Sequence, residues 1–284
     1  MLRRCLQRVV AALASAAGRL PRGVVLCLGR CLGFAAFTLL RVRRRVTLEN
    51  LDRALQLTGP ERLRLAGRVY RHLCVGALEF LQIPRLTRQR AAELLGDGVS
   101  RLEQLRADKG LLVLTAHLGQ WDLLACAAAM CGVKLHVVTR SIKAGWLNDH
   151  WMAVRRRCGV DLLAAQGSGW AIRAALRQRE VVALVLDQHE PGGVAVPFFG
   201  RPAWTATALA RLALATGAPV VAAFLLRDGK DGFRLILSEP LRVQRTGNHR
   251  DDISVNTAGF TAVLEEQIRQ APEQWLWLHR RWKA

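Results

Sequence analysis

Leu111-Leu112-Val113-Leu114-Thr115-Ala116-His117-Leu118-Gly119-Gln120-Trp121-Asp122 carries the clearest structural signal in the chain. From Leu111 to Thr115 the residues are apolar or β-branched without alternation, which reads as a strand buried on both faces. Gly119 breaks the run, and the apolar stretch from Leu123 to Met130 continues as a helix. A buried strand that turns through glycine into a helix is a building unit of α/β folds, whose functional groups collect at the carboxyl ends of strands. His117 stands at such an end.

Working outward, Leu135 to Thr139, Val181 to Leu186, Val220 to Leu226 and Phe233 to Leu237 read as further strands, with helical patterns between most of them. The expectation is an α/β fold with a mixed, largely buried sheet flanked by helices. Ahead of it, Val46 to Ile83 has helical spacing over two helices, the second opening at Thr58-Gly59-Pro60-Glu61 with proline just inside the start.

The N-terminal region has two apolar runs, 9–20 and 23–40, separated by Pro21-Arg22, and Arg30 interrupts the second. No small-residue cleavage site follows, so a signal peptide is not expected. A spanning helix needs about 20 apolar residues, and a charge near its middle is costly. The segment therefore reads as an uncleaved membrane anchor, either inserted with tilt or lying partly in the interface, with a buried helical hairpin as the alternative. The basic cluster Arg41 to Arg45 follows directly, as expected on the cytoplasmic side. Residues 1–45 are assigned to the anchor and its basic flank, and 46–284 to one domain.

Lys and Arg number 42 against 22 Asp and Glu, a net charge of +20. Such a surface suits phospholipid headgroups, nucleic acid or an acidic carrier protein, although Arg-rich usage also follows from genome composition. Seven cysteines, odd in number and without C-x-x-C spacing, argue against a disulfide framework and a zinc knuckle and for a reducing cytoplasmic setting.

Within an ideal helix five residues turn through about 140°, so His117 and Asp122 would face apart if both were helical. With His117 in the preceding turn, the Asp122 carboxylate can reach its ring, giving a general base and its orienting acid. Asp122 could equally be an acidic residue favoured in the first helical turn. Other patterns fail: His249-Arg250-Asp251 lacks a glycine-rich phosphate loop, Gly167-Ser168-Gly169 is not a nucleophile elbow, and no nucleotide-binding fingerprint occurs.

Five blocks in order carry a resemblance: His117-x4-Asp122, Thr139-Arg140 through Arg155 with Gly159, Leu186-Asp187-Gln188, Pro197-Phe198-Phe199-Gly200, and Pro272 to Lys283 with Trp275, Trp277, His279 and Trp282. Together with Asn50-Leu51 they resemble the bacterial lipid A secondary acyltransferases of the lysophospholipid acyltransferase superfamily. The resemblance implies an O-acyltransferase at the cytoplasmic face of the bacterial inner membrane. It would use acyl carrier protein or coenzyme A thioester as donor and a lipid A precursor or related glycolipid as acceptor, with neither metal nor redox cofactor.

By the same resemblance His117 deprotonates the acceptor hydroxyl and Asp122 supports it, without a covalent enzyme intermediate. Arg155 and Asp187 match further functional positions, with Arg140 and Gln188 beside them as substrate-binding candidates. An arginine suits phosphate, and Asp187 could order such an arginine or merely brace strand to helix. The chain departs from the family in carrying Asp122 where many members have glutamate, and in Ser141-Ile142-Lys143-Ala144-Gly145. Two alternatives accompany this reading: the same chemistry on a lysophospholipid or ornithine-type lipid, and a catalytically silent membrane-binding protein of this fold. A nucleic-acid partner rests on charge alone and is not expected.

Overall fold

A computed structural model describes residues 14–106, 108–140, 145–229 and 232–283, with the side chain of residue 146 also outside the description. At the N-terminal end, helix α1 (Arg22–Phe34) continues into a π-helical turn (Ala35–Leu39) and is followed by α2 (Arg44–Leu55) and α3 (Gly59–Phe80). Thr58 precedes α3 and Pro60 lies in its first turn, as the sequence pattern requires. Helices α4 (Arg88–Leu95) and α5 (Gly98–Arg106) lead into the sheet.

The sheet elements run β1 (Leu111–Thr115), α6 (Trp121–Met130), β2 (Leu135–Thr139), α7 (Gly145–Arg157), β3 (Asp161–Ala164), α8 (Gly169–Arg177) and β4 (Val181–Val185). A hairpin of β5 (Val194–Phe198) and β6 (Arg201–Thr205) follows, then α9 (Ala208–Thr216), β7 (Val220–Asp228), β8 (Gly232–Leu237) and α10 (His249–Gln270). Six strands form one sheet in the order β3-β2-β4-β1-β7-β8, parallel except for β8. The fold is thus the mixed α/β class expected from the apolar runs.

Strand β1 lies inside the sheet and is buried over its whole length. Leu112 and Leu114 pack with α3, α8, α9 and α10, whereas Leu111 and Val113 pack with α4, α6 and α7. Side chains alternate between faces along a strand, so one unbroken apolar run serves two cores. This explains why β1, β4 and β7 were readable as strands. The edge strand β3 is part polar and part exposed and shows no such run.

Pro197-Phe198-Phe199-Gly200 proves to be a turn. Phe198 pairs with Arg201 across the β5–β6 hairpin, leaving Phe199 and Gly200 as a two-residue loop with φ of 51° and 69°. Positive φ at both central positions is the geometry that matches hairpin twist. Phe199 accepts it because its ring is buried against Trp275 and Trp277 and its amide donates to Glu265.

After α10 the chain threads back through the molecule. Trp275 bridges Leu118, Leu276 N donates to His117 O (3.1 Å), and Gly119 N donates to Gln274 O (3.1 Å). Gly119 must be glycine, since its φ is +65° and a Cβ would lie 2.2 Å from Leu225 O. Buried Asn50 of α2 donates from Nδ2 to the carbonyls of Trp277 (2.8 Å) and His279 (2.7 Å). Arg281 is fully buried, donates to Trp204 O (2.6 Å) and Thr205 Oγ1 (2.5 Å), and lies 5.0 Å above the Phe198 ring. Burial pushes its pKa down to about 10, so it remains charged at neutral pH. Replacing Asn50 with Ala strands two buried carbonyls and should destabilise the protein by about 1–3 kcal/mol, measured by denaturant unfolding.

Candidate active site

The register of the parallel pair β1–β4 sets the site. Thr115 lies opposite Val185, so two residues beyond each strand end His117 and Asp187 leave the sheet side by side. His117 Nδ1 is 2.9 Å from Asp187 Oδ1. The second carboxylate oxygen accepts from His117 N (3.0 Å) and from Trp275 Nε1 (2.7 Å). Asp187 is nearly inaccessible, so those donors are what make its buried charge tolerable.

A charged carboxylate accepts only, so Nδ1 of the neutral imidazole carries the proton and Nε2 keeps a lone pair. Burial raises the Asp187 pKa, but His117 and the Trp275 N–H outweigh it, and the net direction is down. Burial disfavours the His117 imidazolium, yet the Asp187 carboxylate prevails and the pKa rises above its ordinary value.

Asp122 occupies a different place from the one its spacing suggested. It is buried in the first turn of α6, five residues after His117, and points to α7. Its Oδ1 accepts from Arg155 Nε (2.6 Å) and Trp151 Nε1 (3.1 Å), while Arg155 Nη1 donates to Thr139 Oγ1 (3.3 Å). The contacts are thus the reverse of those expected: Asp187 meets the histidine ring and Asp122 meets the arginine. Asp122 is still close enough to add to the pull on the His117 proton.

His117, Asp122, Thr139, Trp151 and Arg155 border one cavity of about 950 Å³, with Asp187 behind the histidine. Leu73, Ala77, Phe80, Val137 and Met152 give it an apolar wall, and His117, Arg155 and Gln188 a polar one. Gln188 also lines the cavity, with its side-chain amide 3.4 Å from His117 Nδ1. Arg140 is exposed at the rim and pairs with Glu190, and residues 141–144 lie outside the described residues. His72 and His189 also line the cavity. Burial, assisted by Arg227, pushes His72 down to about 4, and His189 is lowered too by burial and Lys283. His117 is thus the strongest base of the three. Among the described residues no group of three or more His, Cys, Asp or Glu is placed to hold a metal ion.

A family model described as bacterial lipid A biosynthesis acyltransferase matches residues 1–284. The chain belongs to that family. It is an acyltransferase, as are its named relatives. It is 29% identical over 281 residues to a lipid A biosynthesis lauroyltransferase of Escherichia coli (strain K12), covering 94% of this chain and 87% of the relative. A lipid A biosynthesis palmitoleoyltransferase of the same organism is 24% identical over 277 residues, with the same coverage. A phosphatidylinositol mannoside acyltransferase of Mycobacterium tuberculosis (strain ATCC 25618 / H37Rv) is 24% identical over 220 residues, 72% of this chain and 66% of the relative.

Sequence reasoning brought His117, Asp122, Arg155, Asp187 and Gln188 to one place but missed Trp275 and Trp151 as hydrogen-bond donors to the two acids. Nothing in a tryptophan's sequence position tells which carboxylate its N–H will meet.

The pair His117–Asp187 generates opposite shifts in pH dependence. If neutral His117 is the active form, activity rises as pH passes upward through its raised pKa. Replacing Asp187 with Asn removes the stabilising charge while burial persists, so the ascending limb should move to lower pH and the rate should fall by about 10²–10⁴. Replacing Trp275 with Phe withdraws a competing donor from Asp187, so the limb should move to higher pH with a smaller loss. Rates across pH for both variants check the two signs.

Proposed function

We propose that the protein transfers a fatty acyl chain from an acyl thioester to a hydroxyl of a lipid A precursor or related glycolipid. The observation that carries this reading is the Nδ1 clamp of His117 by Asp187, which leaves Nε2 as a base facing the cavity. Nε2 takes the proton of the acceptor hydroxyl as its oxygen attacks the thioester carbonyl. The resulting imidazolium, stabilised by Asp187, returns the proton to the departing thiolate. No covalent enzyme intermediate and no resident cofactor enters the scheme.

Arg155 is the oxyanion-binding group, held rigid by Asp122 and Thr139. Its fork suits phosphate on the acceptor or on the donor's phosphopantetheine arm. Gln188 and Arg140 flank the approach. The net charge of +20 suits an acidic acyl carrier protein and an anionic membrane surface, and the cytoplasmic face of the inner membrane offers both. The mannoside-acylating relative supports an acceptor class defined by a glycosylated, phosphorylated lipid rather than by one sugar.

His117→Ala should remain folded and lose at least about 10²-fold in acyl transfer. Arg155→Lys keeps the charge but not the fork and should lower turnover by about tenfold or more. Mass spectrometry of total lipids with and without the protein identifies the acceptor: a change confined to lipid A supports the proposal, and one confined to phospholipids or aminolipids contradicts it.

A further inference from the structure

Among the described residues ten large apolar side chains are exposed, and seven of them lie between Val24 and Val42. Phe34, Leu39 and Leu40 are 61%, 72% and 73% exposed, and Leu63 on α3 is also exposed. Scattered single apolar residues need no explanation, but this concentration on one helix, its π-turn and the following loop does. Exposed Arg30, Arg41, Arg43 and Arg45 border it. The charge and the apolar face together fit a bilayer surface containing anionic lipid.

The segment Arg22–Leu39 is 18 residues long and by length and composition could cross a membrane. Its packing argues otherwise. A Cβ at Gly29 would lie 2.7 Å from Val75 Cα, and one at Gly33 would lie 2.6 Å from Arg71 Cα, so α1 and α3 touch backbone to backbone. At its start, Arg22 Nη1 donates to buried Glu79 of α3 (3.1 Å), which also receives Arg227 Nη1 (2.9 Å) and Gln120. At its end, Phe37 is buried 5.2 Å from the Tyr70 ring and beneath Arg44 (4.6 Å). Crossing the bilayer with α3 attached would carry exposed Arg64, Arg68 and Arg71 towards the hydrocarbon. Crossing without α3 would strip the Arg22–Glu79 and Phe37–Tyr70 contacts.

We infer that α1 and its π-turn lie in the plane of one anionic leaflet, apolar face down, and do not span the bilayer. The inference rests on the membrane association proposed above. It has a functional consequence, because the face of α3 turned away from α1 carries His72, Leu73, Ala77 and Phe80 into the catalytic cavity. The helix that seats α1 on the leaflet is therefore also a wall of the catalytic cavity.

Nitroxide labels read the orientation. Cys27 and Cys31 are exposed on α1, and Leu39→Cys extends the series along about 18 Å of helix. Label depth is measured by collision with dissolved oxygen and with a water-soluble nickel chelate on vesicles of phosphatidylcholine with phosphatidylglycerol. The expected result is a similar shallow depth for all three, within about 10 Å of the headgroups, with binding at least about tenfold weaker on phosphatidylcholine alone. Depths differing by most of the 18 Å, with one label near the bilayer centre, overturn the in-plane inference and leave membrane association standing. Failure to bind either vesicle overturns both.

Discussion

The parallel register between β1 and β4 is the constraint on which the site depends. Because Thr115 faces Val185, the chain delivers His117 and Asp187 to the same height beyond the sheet, close enough for Asp187 to bond both the ring and the amide of residue 117. A buried carboxylate is costly unless donors surround it. The third donor comes from Trp275, and the route of the C-terminal tail follows from that need. Asn50 fixes the tail's carbonyls, Arg281 anchors it under the β5–β6 hairpin, and the positive-φ turn at Phe199 shapes the aromatic pocket that receives it.

Those dependencies mark the limit of what the sequence could tell. Leu111 to Thr115 was legible to the residue because a strand buried on both faces has almost no polar position to blur it, and Leu135 to Thr139 was legible from its β-branched run although it is only half buried and carries His136. The histidine was legible because it follows such a strand directly. Its partner was not. Strand β2 follows β1 in the chain but β4 lies beside it in space, and an apolar run does not say which other run it pairs with. Reasoning along the chain therefore favoured Asp122, five residues away, over Asp187, seventy residues away but adjacent through the sheet. The resemblance likewise gave Asp122 to His117 and left Asp187 to order an arginine.

Asp122 is not displaced from the chemistry by this exchange. By accepting from Arg155 and Trp151 it joins the start of α6 to α7, and Trp151 in turn packs at a tilt against Phe80 of α3, ring centres 4.7 Å apart. One carboxylate thus sets an arginine on the polar side of the cavity and an indole on its apolar side. Helix α3 is similarly two-sided. One face forms the cavity wall, and the other holds α1 through Glu79 and the glycine contacts. The turn at His117, the apolar cavity wall and the exposed apolar helix are connected through neighbouring layers, which is why residues 22–39 belong mechanically with the body they precede.

The most direct test of the account is the protonation state of the His117 ring. Nitrogen-15 NMR of histidine-labelled protein, with His117→Ala identifying the resonances, reports which nitrogen carries the proton. The account predicts a proton on Nδ1 throughout, with Nε2 titrating at a pKa above the ordinary 6.5 because Asp187 holds the imidazolium. A neutral ring protonated on Nε2, or a pKa below 6.5, would contradict the pairing of His117 with Asp187 and with it the assignment of the base.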